Sequence, residues 1–448
     1  MGFQEKYRHA LKNLPEGVRW AEVNIKRTEG TIVVARNGEF GQASVENSDG
    51  AYVRAAITGE GMAYSQDLGQ DPAALILQAA ENGLFSQTVH QGESLARAVM
   101  VSCPQLHPSM PVHALFSAAQ RICQLAKQRV DGLTGVTCTL REDSSRSYVM
   151  NSLGTDVQTA NRVYTCQLEL VVEQQNTVIN ESSLVTAKSL SELDISTCIQ
   201  EAETKIQEQL LPSLELEAGT YPAVLDHSVM SNILITAWQL FSASKYIGKT
   251  SAFSGLLGQR VASSAVTVVD RECHPACGYQ YSFDDEASRG SDHVLMDRGL
   301  LSGLLQTRLT AQQLGVSPTG NAGRVALLTG SIPTALIPIP RILTIEPGDQ
   351  CRRQLLKDMG DGLLIPYSFD IFHSINISNG DFSIPCRTIL VKGGEMVGQC
   401  SNLTMSGNLR DLLLAIDEMG NDLTIQPFLL RSYCYGAPSA RVKQLTIG

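Results

Sequence analysis

Two thiols and an imidazole lie close together in the segment Cys273-His274-Pro275-Ala276-Cys277. Thiols and imidazoles bind zinc, and paired thiols cycle between reduced and oxidised forms. A structural zinc site needs four ligands, however, and no C-x-x-C motif or second histidine stands near this segment. The residues therefore leave two interpretations open, a plain hairpin loop and a metal or thiol site.

Three consecutive carboxylates, Asp284-Asp285-Glu286, form a second candidate. In an extended strand, Asp284 and Glu286 would share one face, because successive side chains of a strand point to opposite sides. Paired carboxylates can act as general acid and base. Acidic turns are also common in proteins, so a structural role for this segment stays open beside a chemical one.

Several other chemistries are excluded by missing residues. Gly248-Lys249-Thr250 matches the end of a phosphate-binding loop, but the glycine required five residues earlier is Ala243. The G-x-S-x-G string of serine hydrolases does not occur. None of the eight histidines is followed by glutamate, so the zinc helix that supplies two imidazoles and a carboxylate base is absent.

Composition narrows the class of protein. Hydrophobic residues make up 43% and charged residues 18%, which excludes a disordered chain. The net charge of -10 argues against binding of nucleic acid. Eleven scattered cysteines are typical of reduced cytosolic thiols rather than of a disulfide framework. The charged N-terminus and the lack of long apolar runs predict a cytoplasmic protein without a membrane helix.

The periodicity of apolar residues predicts a mixed α+β fold. Asn37-Gly38 separates two alternating runs and predicts a tight hairpin. Gly135 to Leu140 and Ser147 to Asn151 read as two further strands, and Pro111 to Val130 reads as a helix.

A break in composition follows at Leu211 to Gly219, where proline, charges and glycine meet. We therefore predict an N-terminal α/β sandwich-like domain over residues 1–215. Residues 216–448 contain many short extended runs, which predict a β-rich, barrel-like domain with a few helices, among them Leu301 to Leu314 and Asn408 to Met419.

Motifs along nearly the whole chain resemble the TldD/PmbA (TldD/TldE) metalloprotease family. They are Thr250-Ser251-Ala252-Phe253-Ser254-Gly255, Asp284-Asp285-Glu286, Pro318-Thr319-Gly320-Asn321 with Arg324, and, more loosely, Trp20-Ala21-Glu22-Val23 and Gly50-Ala51-Tyr52-Val53-Arg54. The resemblance implies a two-domain protein that pairs with a related chain around an enclosed cavity. In that family a zinc site on one subunit cleaves unfolded peptides. Family roles include peptide maturation and protein turnover, and some members carry the label of modulators of DNA gyrase.

This sequence departs from the zinc-bearing members at the metal site. Their H-E-x-x-x-H helix corresponds to Met230 to Ala243, which contains neither histidine nor glutamate. The resemblance therefore implies a TldE/PmbA-type subunit with no zinc of its own, paired with a zinc-bearing partner. Cys434 falls where the family has its third ligand, a cysteine. Ala287 replaces the glycine that usually follows the acidic run.

Our leading hypothesis is a subunit that is catalytically inactive by itself, completes the chamber of a peptide-cleaving heterodimer and grips an extended peptide. The candidate substrate-binding residues are Asp284, Asp285, Glu286, Asn321 and Arg324, and Cys434 is a residual ligand position. One alternative is a self-paired, non-catalytic peptide-binding or scaffold protein. Another is an enzyme with thiol chemistry at Cys434 or at Cys273 to Cys277.

Overall fold

The structure is a computed structural model of the chain. It describes residues 2–85, 95, 99–101, 106, 108–174, 177–324, 336–428 and 433–448, without the side chains of 401 and 402. Cys103, one of the eleven cysteines, lies outside the described residues, and the other ten are free thiols. The mixed α+β class predicted from the sequence is confirmed.

The described residues of the N-terminal part form a seven-stranded sheet and four α-helices. The strands follow the order β3-β2-β1-β5-β6, and both β4 and β7 pair with β6. The helices are α1 (Phe3–Lys12), α2 (Pro72–Asn82), α3 (Val112–Arg129) and α4 (Ile195–Gln209), and the strands are β1 (Trp20–Arg36), β2 (Glu39–Ala56), β3 (Glu60–Ser65), β4 (Met100–Val101), β5 (Leu133–Asn151), β6 (Asp156–Gln174) and β7 (Thr177–Ala187).

A tight turn joins β1 and β2, two of the long strands of this sheet. Asn37 and Gly38 both have positive φ, 54° and 86°, as a two-residue hairpin requires, so the predicted hairpin between β1 and β2 is confirmed. The prediction of two separate strands within Leu133–Asn151 is wrong. β5 pairs with β1 and β6 through its polar middle as well, because the backbone ladder does not depend on apolar side chains.

The two faces of the sheet have different neighbours. Apolar residues at odd positions of β1, such as Val23 and Val33, pack under the helices, with α1 and α2 over one half and α3 and α4 over the other. Even positions point to the opposite face. There, Asn24 and Lys26 contact the C-terminal part of the chain.

The C-terminal part contains fourteen strands and five α-helices among the residues that the structure describes. The helices are α5 (His227–Ala237), α6 (Ala243–Ile247), α7 (Arg308–Leu314), α8 (Arg352–Met359) and α9 (Leu409–Ala415). The strands are β8 (Gly219–Leu225), β9 (Val268–Arg271), β10 (His293–Asp297), β11 (Leu300–Leu301), β12 (Ala322–Gly323), β13 (Ile337–Pro338), β14 (Ile342–Ile345), β15 (Gly362–Ser368), β16 (Asp381–Lys392), β17 (Glu395–Asn408), β18 (Ile416–Met419), β19 (Thr424–Phe428), β20 (Tyr433–Ala437) and β21 (Ala440–Ile447).

Five of these strands close into a barrel. The order is β17-β16-β15-β8-β21, and β17 also pairs with β21, which completes the ring. A second sheet, β11-β10-β9-β14-β20-β19, lies beside it, and α5 packs against β15 and β20. The barrel-like C-terminal region is therefore confirmed, whereas the division of the chain at residue 216 stays a prediction.

Two predicted helices are shorter than expected. The helix predicted from Leu301 begins at Arg308, because Thr307 and Thr310 form a capping box and Leu301 pairs in β11. The helix predicted from Asn408 to Met419 ends at Ala415, and the remaining residues pair with β21 as β18. In both segments tertiary strand pairing overrides the local helical pattern.

Among the described residues, none of the helices combines the length and the apolar character that crossing a membrane requires.

Candidate functional site

The three acidic residues form a tight turn, not an extended strand. Asp284 Oδ1 accepts hydrogen bonds from the backbone N–H groups of Glu286 (2.9 Å) and Ser288 (2.7 Å). Its Oδ2 accepts from the N–H of Ala322 at 3.0 Å. Ala287 completes the turn at φ 56°, a left-handed conformation that favours glycine. Asp284 therefore fixes the shape of the turn through backbone contacts.

The other two carboxylates of the turn contact the N-terminal sheet. Asp285 Oδ2 lies 2.9 Å from Lys26 Nζ, and the Asp285 carbonyl accepts from Asn24 Nδ2 at 3.4 Å. Glu286 Oε1 lies 3.2 Å from Arg54 Nη2. All three residues of the acidic run are buried. The turn thus joins the two halves of the molecule through ion pairs.

Arg54 is the centre of this contact. Its guanidinium lies 2.5 Å from Glu22 Oε1, 3.5 Å from Glu60 Oε1 and 3.2 Å from Glu286 Oε1. Glu22 and Arg54 face each other directly across β1 and β2. Because the group is buried, removal of this one cation would leave three carboxylates without their main compensation.

Burial changes the protonation of the turn. It raises the pKa of Glu286 to about 7, a shift that Asp284 increases and Arg54 opposes. Burial likewise raises the pKa of Asp284 to about 6. Burial alone would raise the pKa of Asp285 as well, but Lys26 and Arg324 outweigh it and hold that pKa below its usual value. Asp284 and Glu286 therefore titrate as a pair close to neutral pH.

Asn321 belongs to a neighbouring buried network. Its Nδ2 donates to Asp270 Oδ2 at 2.6 Å, and Asp270 Oδ1 accepts from the backbone N–H of Arg341 at 2.7 Å. Arg341 Nη2 in turn donates to the carbonyl of Ala322 at 2.7 Å. Burial raises the pKa of Asp270 to about 6. Asn321 thus holds the segment that carries Ala322 against the acidic turn.

Arg324 has fewer partners than the other cations here. Its Nη1 lies 3.8 Å from Asp285 Oδ2, and its guanidinium stacks over the Tyr52 ring at 5.1 Å. Only 3% of its side chain is exposed. In the described part of the chain, its Nε and Nη1 have no hydrogen-bond acceptor. Burial lowers the pKa of Arg324, because Asp285 and Glu22 compensate its charge incompletely and Arg54 repels it.

Cys434 lies in a different environment. It is fully buried in β20, opposite Ile342 of β14, and packs in one cluster with Cys277 and Ile425. The Cys277 thiol is within hydrogen-bonding reach, and Tyr281 Oη lies 3.7 Å from Cys434 Sγ. Burial raises the pKa of the Cys434 thiol well above its usual value. A protonated, buried thiol is a poor nucleophile and a poor metal ligand.

The segment that the resemblance matches to a zinc helix, Met230 to Ala243, begins within α5. Its residues Met230, Ile233 and Leu234 are buried in the large core cluster. His227, at the first position of α5, lies 3.7 Å from both Asp226 Oδ1 and Glu201 Oε1. Across the described ranges, no three His, Cys, Asp or Glu side chains converge in a way that could hold a metal ion. The residues around Cys434 therefore do not fit zinc.

Sequence reasoning missed four residues of the acidic-turn contact as site residues, although the family motifs contain three of them. They are Glu22, Lys26, Tyr52 and Arg54. The available signal was the occurrence of charged side chains at alternate positions of strands whose other face is apolar. Such charges need partners when they are buried, and the acidic run supplies two of them.

Comparisons with known proteins find similarity to proteins named as metalloproteases. Residues 218–448 match the model of the PmbA/TldA metallopeptidase C-terminal domain. A metalloprotease of Methanothermobacter thermautotrophicus is 22% identical over 428 residues, which cover 93% of this chain and 91% of that protein. Other curated metalloproteases match over about half of their own length.

Two solved structures share the fold over their full length. TldE from Thermococcus kodakarensis superposes with a TM-score of 0.81 at 19% identity, covering 99% of this chain and 100% of that one. A Thermotoga maritima protein whose name connects it with modulation of a DNA gyrase gives 0.80 at 22% identity, covering 100% and 99%. At these identities the likeness shows a common fold.

Proposed function

Because the chain belongs to the PmbA/TldD family of metallopeptidases, we propose that it is the subunit without zinc of a TldD/TldE-type cytosolic complex that cleaves unfolded peptides. In this proposal a zinc-bearing TldD-like partner performs the cleavage. This chain completes the chamber and grips the substrate. The observation that carries the proposal is the surroundings of Cys434, which offer a second thiol, a phenol and apolar side chains in place of imidazoles.

An open strand edge supports the gripping role. β1 pairs with β2 along one side, whereas β3, on the other side, pairs only with Ala51 to Ala56, so no described strand covers that second side of Glu39 to Gly50. Phe40 and Val45 on this edge are 58% and 66% exposed. Unpaired backbone groups of an edge strand bind an extended chain by strand addition, without reading most of its side chains. Such an edge suits a variable unfolded peptide or a strand of the partner.

The candidate residues divide into two roles in this proposal. Asp284 and Glu286 are paired by contacts within the chain, so they position the two halves of the molecule and do not act as acid or base. Asn321 donates through its Nδ2 to Asp270 and to the carbonyl of Ile339, whereas its buried Oδ1 has no hydrogen-bond donor among the described residues. Asp285 is also paired. Arg324, which retains unpartnered N–H groups, is the member of the set with capacity to bind a ligand.

The two alternatives lead to different observable states. A self-paired scaffold protein would form a homodimer that leaves no face for a zinc-bearing relative. Thiol chemistry at Cys434 would require a reactive thiolate, which its burial opposes. The exposed Cys273 is the accessible thiol of the Cys273 to Cys277 segment.

Coexpression tests the proposal directly. We expect this chain to copurify with a zinc-bearing TldD-type relative, with a mass in light scattering equal to the sum of the two chains. We also expect cleavage of an unfolded peptide by the complex at a rate well above that of either chain alone. A relative whose zinc-helix glutamate is replaced by glutamine serves as the control. Unchanged mass and unchanged cleavage on mixing would contradict the partner role.

Metal analysis provides a second test on the chain alone. We expect purified protein to carry far less than one zinc ion per chain, and Cys434→Ala to leave that content unchanged. Stoichiometric zinc that is lost in Cys434→Ala would show that this chain holds its own metal.

A further inference from the structure

A partly exposed cluster of hydrogen-bond donors lies on the face of the N-terminal sheet opposite the helices. Tyr52 and Tyr64 face each other across β2 and β3, with their rings stacked at 4.7 Å. Their hydroxyls extend over Gly50, where a Cβ atom would come within 3.2 Å of both. Lys26 lies directly opposite Gly50 in β1 and is 29% exposed. Gly50 thus leaves room for the phenols beside the ammonium group.

The charges of this cluster do not balance. Lys26 Nζ at 2.9 Å and Arg324 Nη1 at 3.8 Å share the single carboxylate of Asp285. Arg54, by comparison, has three carboxylates within 3.5 Å. A buried cation with incomplete compensation destabilises its surroundings, because its lost hydration is not fully replaced. A negatively charged ligand would offset that loss.

We propose that Lys26, Arg324 and the hydroxyls of Tyr52 and Tyr64 bind a carboxylate group of the peptide substrate. This inference rests on the proposed peptide-handling function and names a recognition site for it. An ammonium, a guanidinium and phenols form charge-assisted hydrogen bonds to carboxylate oxygens. Lys26 and Arg324 pair with the one carboxylate of Asp285, and Glu22, which also attracts Arg324, is already paired with Arg54.

The accessible side of the cluster makes this binding feasible. Tyr52 and Tyr64 are half-buried, and Lys26 reaches solvent beside them, while Arg324 lies behind the Tyr52 ring. Burial raises the pKa of Tyr52, so its hydroxyl stays protonated and can donate. The same open face carries Glu39 to Gly50 of β2 at its edge, so a peptide added to that edge would lie next to the cluster.

Peptides that differ only in their carboxylates test the site. Three fluorescein-labelled, unstructured peptides free of other acidic residues are used: one with a C-terminal carboxylate, one with a C-terminal amide, and one amidated peptide with a single glutamate. Their dissociation constants for the full chain are measured by anisotropy. We expect the first or the third to bind about tenfold more tightly than the amide, as one charge-assisted contact provides. If the first peptide binds more tightly than the amide, the ligand is a terminal carboxylate. If the third does, the ligand is a side-chain carboxylate.

Single substitutions test which residues produce the preference for a carboxylate. In Lys26→Gln and in Tyr64→Phe, the dissociation constant of the amide peptide should exceed that of the acid peptide by about twofold or less. The dissociation constant of the amide peptide itself should change little. Lys12→Gln, which removes an exposed cation elsewhere, should keep the full ratio. Arg324→Lys is included because it retains the charge and is less disruptive than neutral replacements; it should weaken the preference through loss of the planar donor set.

Three results would overturn the inference. They are equal binding of all three peptides, no binding of any peptide to the chain, and an acid preference that survives both Lys26→Gln and Tyr64→Phe. The copurification and cleavage measurements with the zinc-bearing relative report separately on the proposed function. If the complex is active but shows no preference for a carboxylate, only the carboxylate site is refuted. If the chain prefers a carboxylate but forms no complex, only the subunit role is refuted.

Discussion

The acidic turn and the α5–Cys434 region are both places where the sequence suggested chemistry, and they are built in opposite ways. At the turn, buried carboxylates of the C-terminal part meet Lys26 and Arg54 of the N-terminal sheet. Around α5 and Cys434 the neighbours are apolar and aromatic, including a Trp238–Tyr433 ring contact at 6.2 Å. One region is held by paired charge and the other by packing.

This difference shows which of the two regions has charged groups in its interior. Charged groups that remain buried must have partners, and here those partners come from a different part of the chain. The region around α5 is instead part of the apolar core of this protein. We therefore expect substitutions in the two regions to differ in magnitude, in pH dependence and in their response to ligand.

The largest effect is expected for Arg54→Met, because it leaves Glu22, Glu60 and Glu286 buried without their shared cation. The free energy of unfolding should fall by about 3–5 kcal/mol, measured by urea denaturation at pH 7.5. Arg27→Met removes the more exposed Arg27–Asp49 pair (2.8 Å) and should cost less than about 1 kcal/mol. Equal losses in the two variants would show that the buried ion pairs of Arg54 contribute no more to the free energy of unfolding than an exposed pair.

Leu234→Ala in α5 should lower the free energy of unfolding by about 3 kcal/mol, because it removes buried methyl groups and leaves a cavity. The matched Leu414→Ala, at a residue 42% exposed, should cost under about 1 kcal/mol. Since no titrating group is removed, the loss should be the same at pH 5 and pH 8. A loss that varies strongly with pH would contradict the packing description of this region.

The turn should contribute to the pH dependence of stability, together with Asp270. The pKa values of Glu286 (about 7) and Asp284 (about 6) lie above those of the unfolded chain, so between about pH 4.5 and pH 7 the folded state binds more protons. The free energy of unfolding should therefore fall by about 2–4 kcal/mol as pH rises from 5 to 8.

Glu286→Gln removes one titrating group and should flatten this profile, whereas Leu234→Ala should run parallel to the wild type. Denaturation midpoints at half-unit pH steps provide the measurement. A wild-type profile that is flat or rises across this range would contradict the raised pKa values of the turn.

The smallest effect is expected at Ala287, which lies at φ 56° in a buried position. Ala287→Gly relieves the left-handed strain but loses a methyl group packed near Val149 and Val157. The free energy of unfolding, measured by thermal denaturation, should therefore rise by about 0.5 kcal/mol. Ala223→Gly, in a regular buried strand, should instead lose about 1 kcal/mol, and a loss at both positions would argue against strain in the turn.

Much of the fold followed from local patterns. The Asn37-Gly38 hairpin and the helix near Val112–Arg129 were recognisable because their residues have strong intrinsic turn and helix signals. The continuity of β5 and the short length of α7 were not recognisable, because strand partners distant in sequence decide them. The acidic run was identified as important, but its partners Lys26 and Arg54 were not.

The sequence by itself determined the mixed α+β class, the family resemblance and the absence of a zinc helix, because each depends on which residues are present in a short segment. Only the tertiary structure decided that the acidic residues form a buried contact between the two halves, that Cys277 and Cys434 lie together, and that Arg324 lacks full compensation. Burial and electrostatic pairing depend on residues brought together over more than two hundred positions, which no local pattern records.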